Sequence, residues 1–202
     1  MSESQTARYD ICIIGAGLAG LAATMFAANL GLSCVQVGHT GEINFSSGFL
    51  DLLGVHPVGE KNVLNDPWAG IDALVRDIPD HPYARLPKED IQAAFSELLS
   101  FLQETGLPYH RHMNHNSAVL TSLGTTKLTY CVPHTMWNGA AALKKTPPCL
   151  ILDIRGLKGF SARHIATALQ NDWPDLLTGR ISFPGLDHLN EVYPEHMANS
   201  LI

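Results

Sequence analysis

The apolar residues of this chain fall into runs of two kinds, continuous short ones and one clear helical stripe. Tyr9 to Ile14 contains the run Ile11-Cys12-Ile13-Ile14 and ends in glycine, the signature of a strand buried on both faces. Residues 18–29 are mostly Ala and Leu, good helix formers, and Asn29-Leu30-Gly31 supplies a stop. Ser33 to Val37 reads as a second short apolar strand. Strand, glycine turn, helix and strand in this order predict the opening of a parallel α/β sheet.

Residues 40–59 are richer in Gly and Ser. Asp66-Pro67 and Asp80-His81-Pro82 then read as irregular connections. Pro87-Lys88-Glu89-Asp90 opens an amphipathic helix in which Ile91, Phe95, Leu98, Leu99 and Leu102 recur at helical spacing until Gly106-Leu107-Pro108. Val119 to Val132 alternates loosely around Leu123-Gly124, which predicts a strand pair. Cys149 to Ile154 is a further buried strand, followed by Arg155-Gly156-Leu157-Lys158-Gly159 and a helix through Ile165, Ala168 and Leu169. The expected organisation is α/β: the N-terminal part of a Rossmann-like FAD/NAD(P)-binding fold over 1–55, incomplete, with an attached α+β cap or substrate region over 56–202.

Composition narrows the function classes. The 202 residues are 46% apolar and 16% charged, enough to bury a core. A net charge of −6 with no Lys/Arg cluster argues against nucleic acid as a partner. No Asp, Glu, Lys or Arg occurs from Ile11 to Gly41, but its glycines and the Asn29-Leu30-Gly31 stop argue against a transmembrane segment. The four cysteines stand singly in apolar runs, without zinc or iron–sulfur spacing, and read as reduced core residues of a cytoplasmic protein. His110, His112 and His115 are the one tight histidine group, read as a solvated loop, and no metal is expected.

The chemistry begins at Gly15-Ala16-Gly17-Leu18-Ala19-Gly20. Between a strand and a helix, the first glycine permits the turn, the second admits a diphosphate and the third lets helix and strand pack closely. The helix N-terminus offers N–H groups and a positive dipole end to that diphosphate. An acid is expected at the end of the second strand for the ribose hydroxyls, but the chain has Val37-Gly38-His39-Thr40 there. The alternatives are His39 or Thr40 at the ribose, Glu42 reaching back, or weak binding. Beyond it, Ser46-Ser47-Gly48 suits a loop against a flavin ring.

The glycine motif, Phe45-Ser46-Ser47-Gly48 with Leu50-Asp51-Leu52-Leu53, His81-Pro82-Tyr83, Leu123-Gly124-Thr125 with Leu128-Thr129, and Gly156-Leu157 occur in an order that resembles the B subunit family of anaerobic glycerol-3-phosphate dehydrogenases. The resemblance implies the N-terminal half of a flavoprotein subunit acting in glycerol metabolism and anaerobic respiration. With a catalytic A subunit and an iron–sulfur C subunit, it would oxidise sn-glycerol 3-phosphate to dihydroxyacetone phosphate and pass electrons to the quinone pool. The expected location is cytoplasmic, or peripheral on the inner face of the cytoplasmic membrane through those partners. The family is often assigned FMN. The glycine turn favours FAD instead, because FMN has no diphosphate.

Candidate phosphate ligands are Lys127, Arg155 and Lys158, each beside exposed backbone N–H groups. His81 and His134 have the chemistry of a base for abstraction at a carbinol. The readings to be tested against this one are a noncatalytic nucleotide-binding scaffold in an electron-transfer complex, and an NAD(P)-binding dehydrogenase domain.

Overall fold

A computed structural model of the chain describes residues 7–39 and 46–201. It divides into two compact units, residues 1–47 and 48–202, a boundary earlier than the expected one after residue 55.

The first unit is a β-α-β element. β1 (Ile11–Ile14) and β2 (Cys34–Val37) pair in parallel, Ile11 opposite Cys34 and Ile14 opposite Val37, and α1 (Leu18–Asn29) connects them. Asp10 ties the far ends of the strands together. Its Oδ2 accepts from the Ser33 amide at 2.8 Å and from Oγ at 2.6 Å, and the Ser33 hydroxyl, then its backbone N–H, hold the Asp10 carboxyl below its usual pKa. The strands are not buried on both faces as their composition suggested. Ile11, Cys12, Ile14 and Val37 are exposed, Ile14 at 89%, because α1 packs on the pair and no other strand joins it among the described residues.

In the second unit, Asp66-Pro67 proves to be a helix start rather than an irregular connection. Asp66 Oδ1 accepts from the amides of Trp68 at 2.9 Å and Ala69 at 3.1 Å, and Pro67, whose missing N–H costs nothing there, opens α2 (Pro67–Asp77). His81 likewise caps a short 3₁₀ helix, Pro82–Arg85. The amphipathic helix forms as expected, as α3 (Lys88–Glu104), burying Ile91 and Leu102.

β3 (Tyr109–His110) lies antiparallel to β6 (Val132–Pro133), and between them β4 (Ser117–Leu120) and β5 (Thr126–Thr129) make the expected hairpin. α4 (His134–Lys145) follows β6 directly and packs on β4, burying Val119, Val132 and Ala140 with Phe49 and Trp137 around them. The sequence pattern predicts no helix there.

β7 (Cys149–Ile154) runs through α5 (Ala162–Leu169) to a parallel partner, β8 (Leu176–Ile181), closing the anticipated strand–loop–helix unit. α5 buries Ile165 and Leu169 with Trp173 against Cys149, Ile151 and Leu176. The alternate residues Leu150, Leu152 and Leu177 remain exposed. A short α6 (Pro194–Asn199) ends the described chain. Of the four cysteines, Cys131 is fully buried, Cys34 and Cys149 are half-buried and Cys12 is exposed; burial pushes the Cys131 thiol up to about 12.

Candidate cofactor and substrate site

The turn after β1 is built by close backbone contact. Gly15 has φ +118°, a conformation that L side chains rarely adopt, and its amide donates to the Val37 carbonyl at 2.7 Å. Gly20 faces it from the first turns of α1. A Cβ on Gly20 would lie 2.1 Å from the Gly15 carbonyl oxygen. Gly17 caps α1 with no side-chain bond, and the Leu21 amide donating to the Gly17 carbonyl at 3.0 Å starts the helix. The first-turn amides, including those of Leu18 and Ala19, are therefore not taken up by a capping side chain or flanked by an acid. Ala16 is buried, 4% exposed. A turn stripped of side chains beside an uncapped helix start fits the diphosphate of a dinucleotide.

Two supports of this turn have no counterpart in the glycine pattern. Gln36 Nε2 donates to the Gly15 carbonyl at 2.9 Å, and a Cβ on Gly38 would lie 2.6 Å from the Ala16 amide nitrogen. The inward-facing polar residue in the apolar run Cys34–Val37 is the available signal for Gln36. His39 is exposed just beyond, while Thr40 and Glu42, the other candidates for the ribose, lie outside the described residues.

Ser46 and Ser47 are exposed at the end of the first unit. In the second unit the following segment is anchored repeatedly. Tyr109 Oη donates to the Gly48 carbonyl at 2.6 Å, Leu50 and Cys131 exchange backbone bonds, Tyr83 Oη donates to the Leu52 carbonyl at 2.8 Å, and Asn116 Nδ2 donates to the Leu53 carbonyl at 2.9 Å. Desolvation raises the pKa of both phenols, so each remains a donor. Pro133 reaches the same place, since a Cβ on Gly48 would lie 3.6 Å from its Cγ.

The two histidine candidates differ in what holds them. His81 Nδ1 accepts from the Tyr83 amide at 3.1 Å, which assigns it a capping task. His134, first residue of α4 and next to Pro133, has its Nδ1 2.7 Å from His110 Nε2. Of the histidine trio, His112 and His115 are exposed in a turn, as expected of a solvated loop, with His112 leaning on the Trp137 ring, whereas His110 is half-buried and stacks on that ring. Among the described residues, no group of three or more His, Cys, Asp or Glu is placed to hold a metal ion.

The cation candidates separate as well. Lys127 Nζ pairs with Asp51 Oδ2 at 2.6 Å, beside a cavity of about 570 Å³ that Asn116, Thr126 and Thr129 also line. Lys158 Nζ pairs with Glu191 Oε1 at 2.8 Å, with both side chains at least half exposed. Arg155 is exposed beyond the C-terminal end of β7. Lys127 and Lys158 are thus each held by an acid of their own, Asp51 and Glu191. Among the described residues no helix is long and apolar enough to cross a membrane; the uncharged stretch from Ile11 is broken into β1, α1 and β2.

Residues 10–201 match the FAD binding domain family. Among curated proteins, the chain is similar to the B subunit of the anaerobic glycerol-3-phosphate dehydrogenase of Yersinia pestis, with 30% identity over 190 residues, 91% of this chain and 44% of that protein. The corresponding B subunit of Pectobacterium atrosepticum is also 30% identical, over 187 residues and the same shares. That of Vibrio vulnificus is 32% identical over 124 residues, 60% of this chain and 28% of its own length. The chain spans less than half the length of the curated relatives it matches. No solved structure matches it.

Proposed function

The chain belongs to the FAD binding domain family, and from that premise we propose that it is the FAD-holding part of a flavin-dependent dehydrogenase subunit acting on sn-glycerol 3-phosphate. The observation that carries the reading is the side-chain-free contact of Gly15 and Gly20 at the uncapped start of α1. A diphosphate placed there receives backbone N–H groups and the positive helix end. FMN would leave that place unused, and the family match supports FAD.

In this reading Gly15, Ala16, Gly17, Leu18, Ala19 and Gly20 hold the diphosphate, with His39 beyond β2 on the ribose side. Ser46, Ser47 and Gly48 flank the flavin, and Tyr109 fixes the last of them through its carbonyl. Bound FAD supplies a hydride acceptor. His81 and His134 are this chain's candidate bases for the hydroxyl proton of the carbinol; Nδ1 of His81 is held by the Tyr83 amide and that of His134 by His110, so Nε2 is the atom either would offer. Lys127 meets the substrate phosphate on exchanging its Asp51 partner, with Arg155 and Lys158 as the second cationic place. The names of the relatives support glycerol 3-phosphate as substrate. Dihydroxyacetone phosphate is then the product. A catalytic A subunit, an iron–sulfur C subunit and the quinone pool complete the assembly, at the inner face of the cytoplasmic membrane.

The test is reconstitution. The purified chain incubated with FAD and desalted is expected to keep oxidised-flavin absorbance and to gain thermal stability, about 2.7 kcal/mol at a hundredfold excess of ligand over Kd. Protection by NADH and not by FAD overturns the reading in favour of a nicotinamide domain. A chain that neither dinucleotide protects overturns it in favour of a scaffold.

A further inference from the structure

We propose that a cavity at the C-terminal ends of β7 and β8 binds a small hydroxylated phosphate ester, its phosphate held by Arg163 and Arg180 and a hydroxyl by Asp153. The cavity lies wholly within the second unit. Asp153 and Arg180 are the penultimate residues of the two strands and stand opposite each other in the parallel register. Arg163 is the second residue of α5, the helix between those strands, and Ala162, Thr178 and Gly179 complete the lining. Open parallel sheets take ligands at this place, beyond the carboxyl ends of their strands. The cavity measures about 220 Å³, the room of roughly seven waters at about 30 Å³ each and enough for a three-carbon phosphate ester.

Asp153 is a buried carboxylate short of donors. Its side chain is 10% exposed, yet among the described residues that side chain has one partner, Arg180, whose Nη2 donates to Oδ2 at 3.3 Å. Charge-assisted bonds of this kind are ordinarily about 2.7–2.9 Å long, and an ionised carboxylate accepts at about four places. A charge so far out of water calls for further donors, and a ligand hydroxyl supplies one to Oδ1. The two cations are in the opposite condition. Arg180 is 69% exposed and meets Asp153 through a single nitrogen, so most of its fork is unspent. Arg163 is exposed and takes part in no ion pair among the described residues. Two guanidinium groups against one carboxylate leave a net positive place, and their planar forks suit phosphate oxygens. The start of α5 adds its positive end, with no acid in the first turn. Arg155 and the Glu191-bound Lys158 do not line this cavity. A phosphate ester with a free hydroxyl thus satisfies both halves of the site, whereas inorganic phosphate meets only the cations and glycerol only the carboxylate. None of these contacts involves the dinucleotide turn, so binding here does not rest on the flavin reading.

The test is amide NMR of the full chain, without FAD, titrated with sn-glycerol 3-phosphate, inorganic phosphate and glycerol. sn-Glycerol 3-phosphate is expected to shift the amides of Ala162, Arg163, Gly179 and Arg180, and to bind roughly tenfold tighter than inorganic phosphate, the worth of one hydrogen bond to a charged group. Glycerol at the same concentrations should leave those amides unmoved. Arg163→Gln, an exposed substitution that spares the Asp153–Arg180 pair, should weaken both phosphates roughly tenfold without lowering the melting temperature. Asp153→Ala should erase the preference for the ester over inorganic phosphate; if that variant does not fold, Arg163→Gln still decides. An Arg163→Gln chain with wild-type affinity overturns the proposal, as do amides of the cavity that no phosphate moves, or that glycerol moves equally. Shifts confined to the surroundings of Asp51 and Lys127 overturn it too, in favour of the place given above to the substrate phosphate. A chain that does not retain FAD overturns the functional reading and leaves this titration to be judged by itself.

Discussion

Gly20→Ala tests the glycine turn with the smallest possible side chain. The added methyl lies 2.1 Å from the Gly15 carbonyl oxygen and 2.9 Å from its carbon, where ordinary contact begins at 3.4 Å. Neither neighbour is a flexible side-chain end; both are backbone, and Gln36 Nε2 already holds the Gly15 carbonyl in place. Helix α1 must therefore move from the turn by an ångström or so. Overpacking of this kind costs about 1–3 kcal/mol, while Ala in place of Gly inside a helix returns about 1 kcal/mol. Stability should fall by no more than about 2 kcal/mol, so the variant folds. The diphosphate contacts suffer more, because one lost hydrogen bond to a charged group is worth about 1.5–3 kcal/mol, or roughly 10- to 150-fold in Kd. Flavin fluorescence titration measures the affinity and a circular dichroism melt the stability. Gly139→Ala is the control: a Cβ there meets nothing within 4 Å, and it lies in α4, outside the turn. It should stabilise by about 0.5–1 kcal/mol and leave FAD affinity unchanged. A Gly20→Ala chain that binds FAD within about threefold of the wild type refutes the assignment of this turn to the diphosphate.

Other expectations follow from single contacts. Gln36→Leu removes the bond to the Gly15 carbonyl and should weaken FAD binding about tenfold with a smaller change in melting temperature; unchanged affinity would mean that the turn needs no side-chain support. Asp66→Ala strips the cap of α2 and should cost about 0.5–2 kcal/mol in urea unfolding without affecting FAD, and a neutral result would show that Pro67 alone starts the helix. Iodoacetamide with mass spectrometry should modify exposed Cys12 quickly and leave Cys131, whose buried thiol is pushed up to about 12, untouched until the chain is denatured. The Asp10 carboxyl has its folded pKa depressed, so its stabilisation is present above the ordinary value of 3.8 and disappears as pH falls through the lower folded value. Melts taken downward through pH 3.8 should be less steep for Asp10→Asn, and parallel losses in variant and wild type would contradict that assignment.

What the residues announced in advance was what they do within a few positions of themselves. Gly15 and Gly20 meet across five residues, Ile91 to Leu102 share one helix face, and the hairpin pairs Leu120 with Thr126 across its own turn. Asp66-Pro67 was equally local but carried two meanings, turn punctuation and helix start, and only the Asp66 bonds to Trp68 and Ala69 separate them. The contacts that distinguish His134 from His81 have another character. His110 lies 24 residues from His134, and Tyr109 lies 61 residues from Gly48; each meets its partner because β3 pairs with β6, and a two-residue strand has no periodicity to read.

Burial was legible on one side only. β7 carries Cys149-Leu150-Ile151-Leu152, a continuous apolar run like that of β1, and such a run is the mark of a strand covered on both faces. α5 and Trp173 cover Cys149 and Ile151, whereas Leu150 and Leu152 stand exposed beside Leu177. In the first unit α1 packs on β1 and β2, yet Ile11 and Ile14 are exposed. An alternating strand would have read Ile-polar-Ile-polar had one of these faces been meant for water. Both parallel pairs thus carry more apolar surface than the described residues cover, and that excess, more than any single residue, accounts for why cysteines placed in such runs read as core while Cys12 lies on the surface.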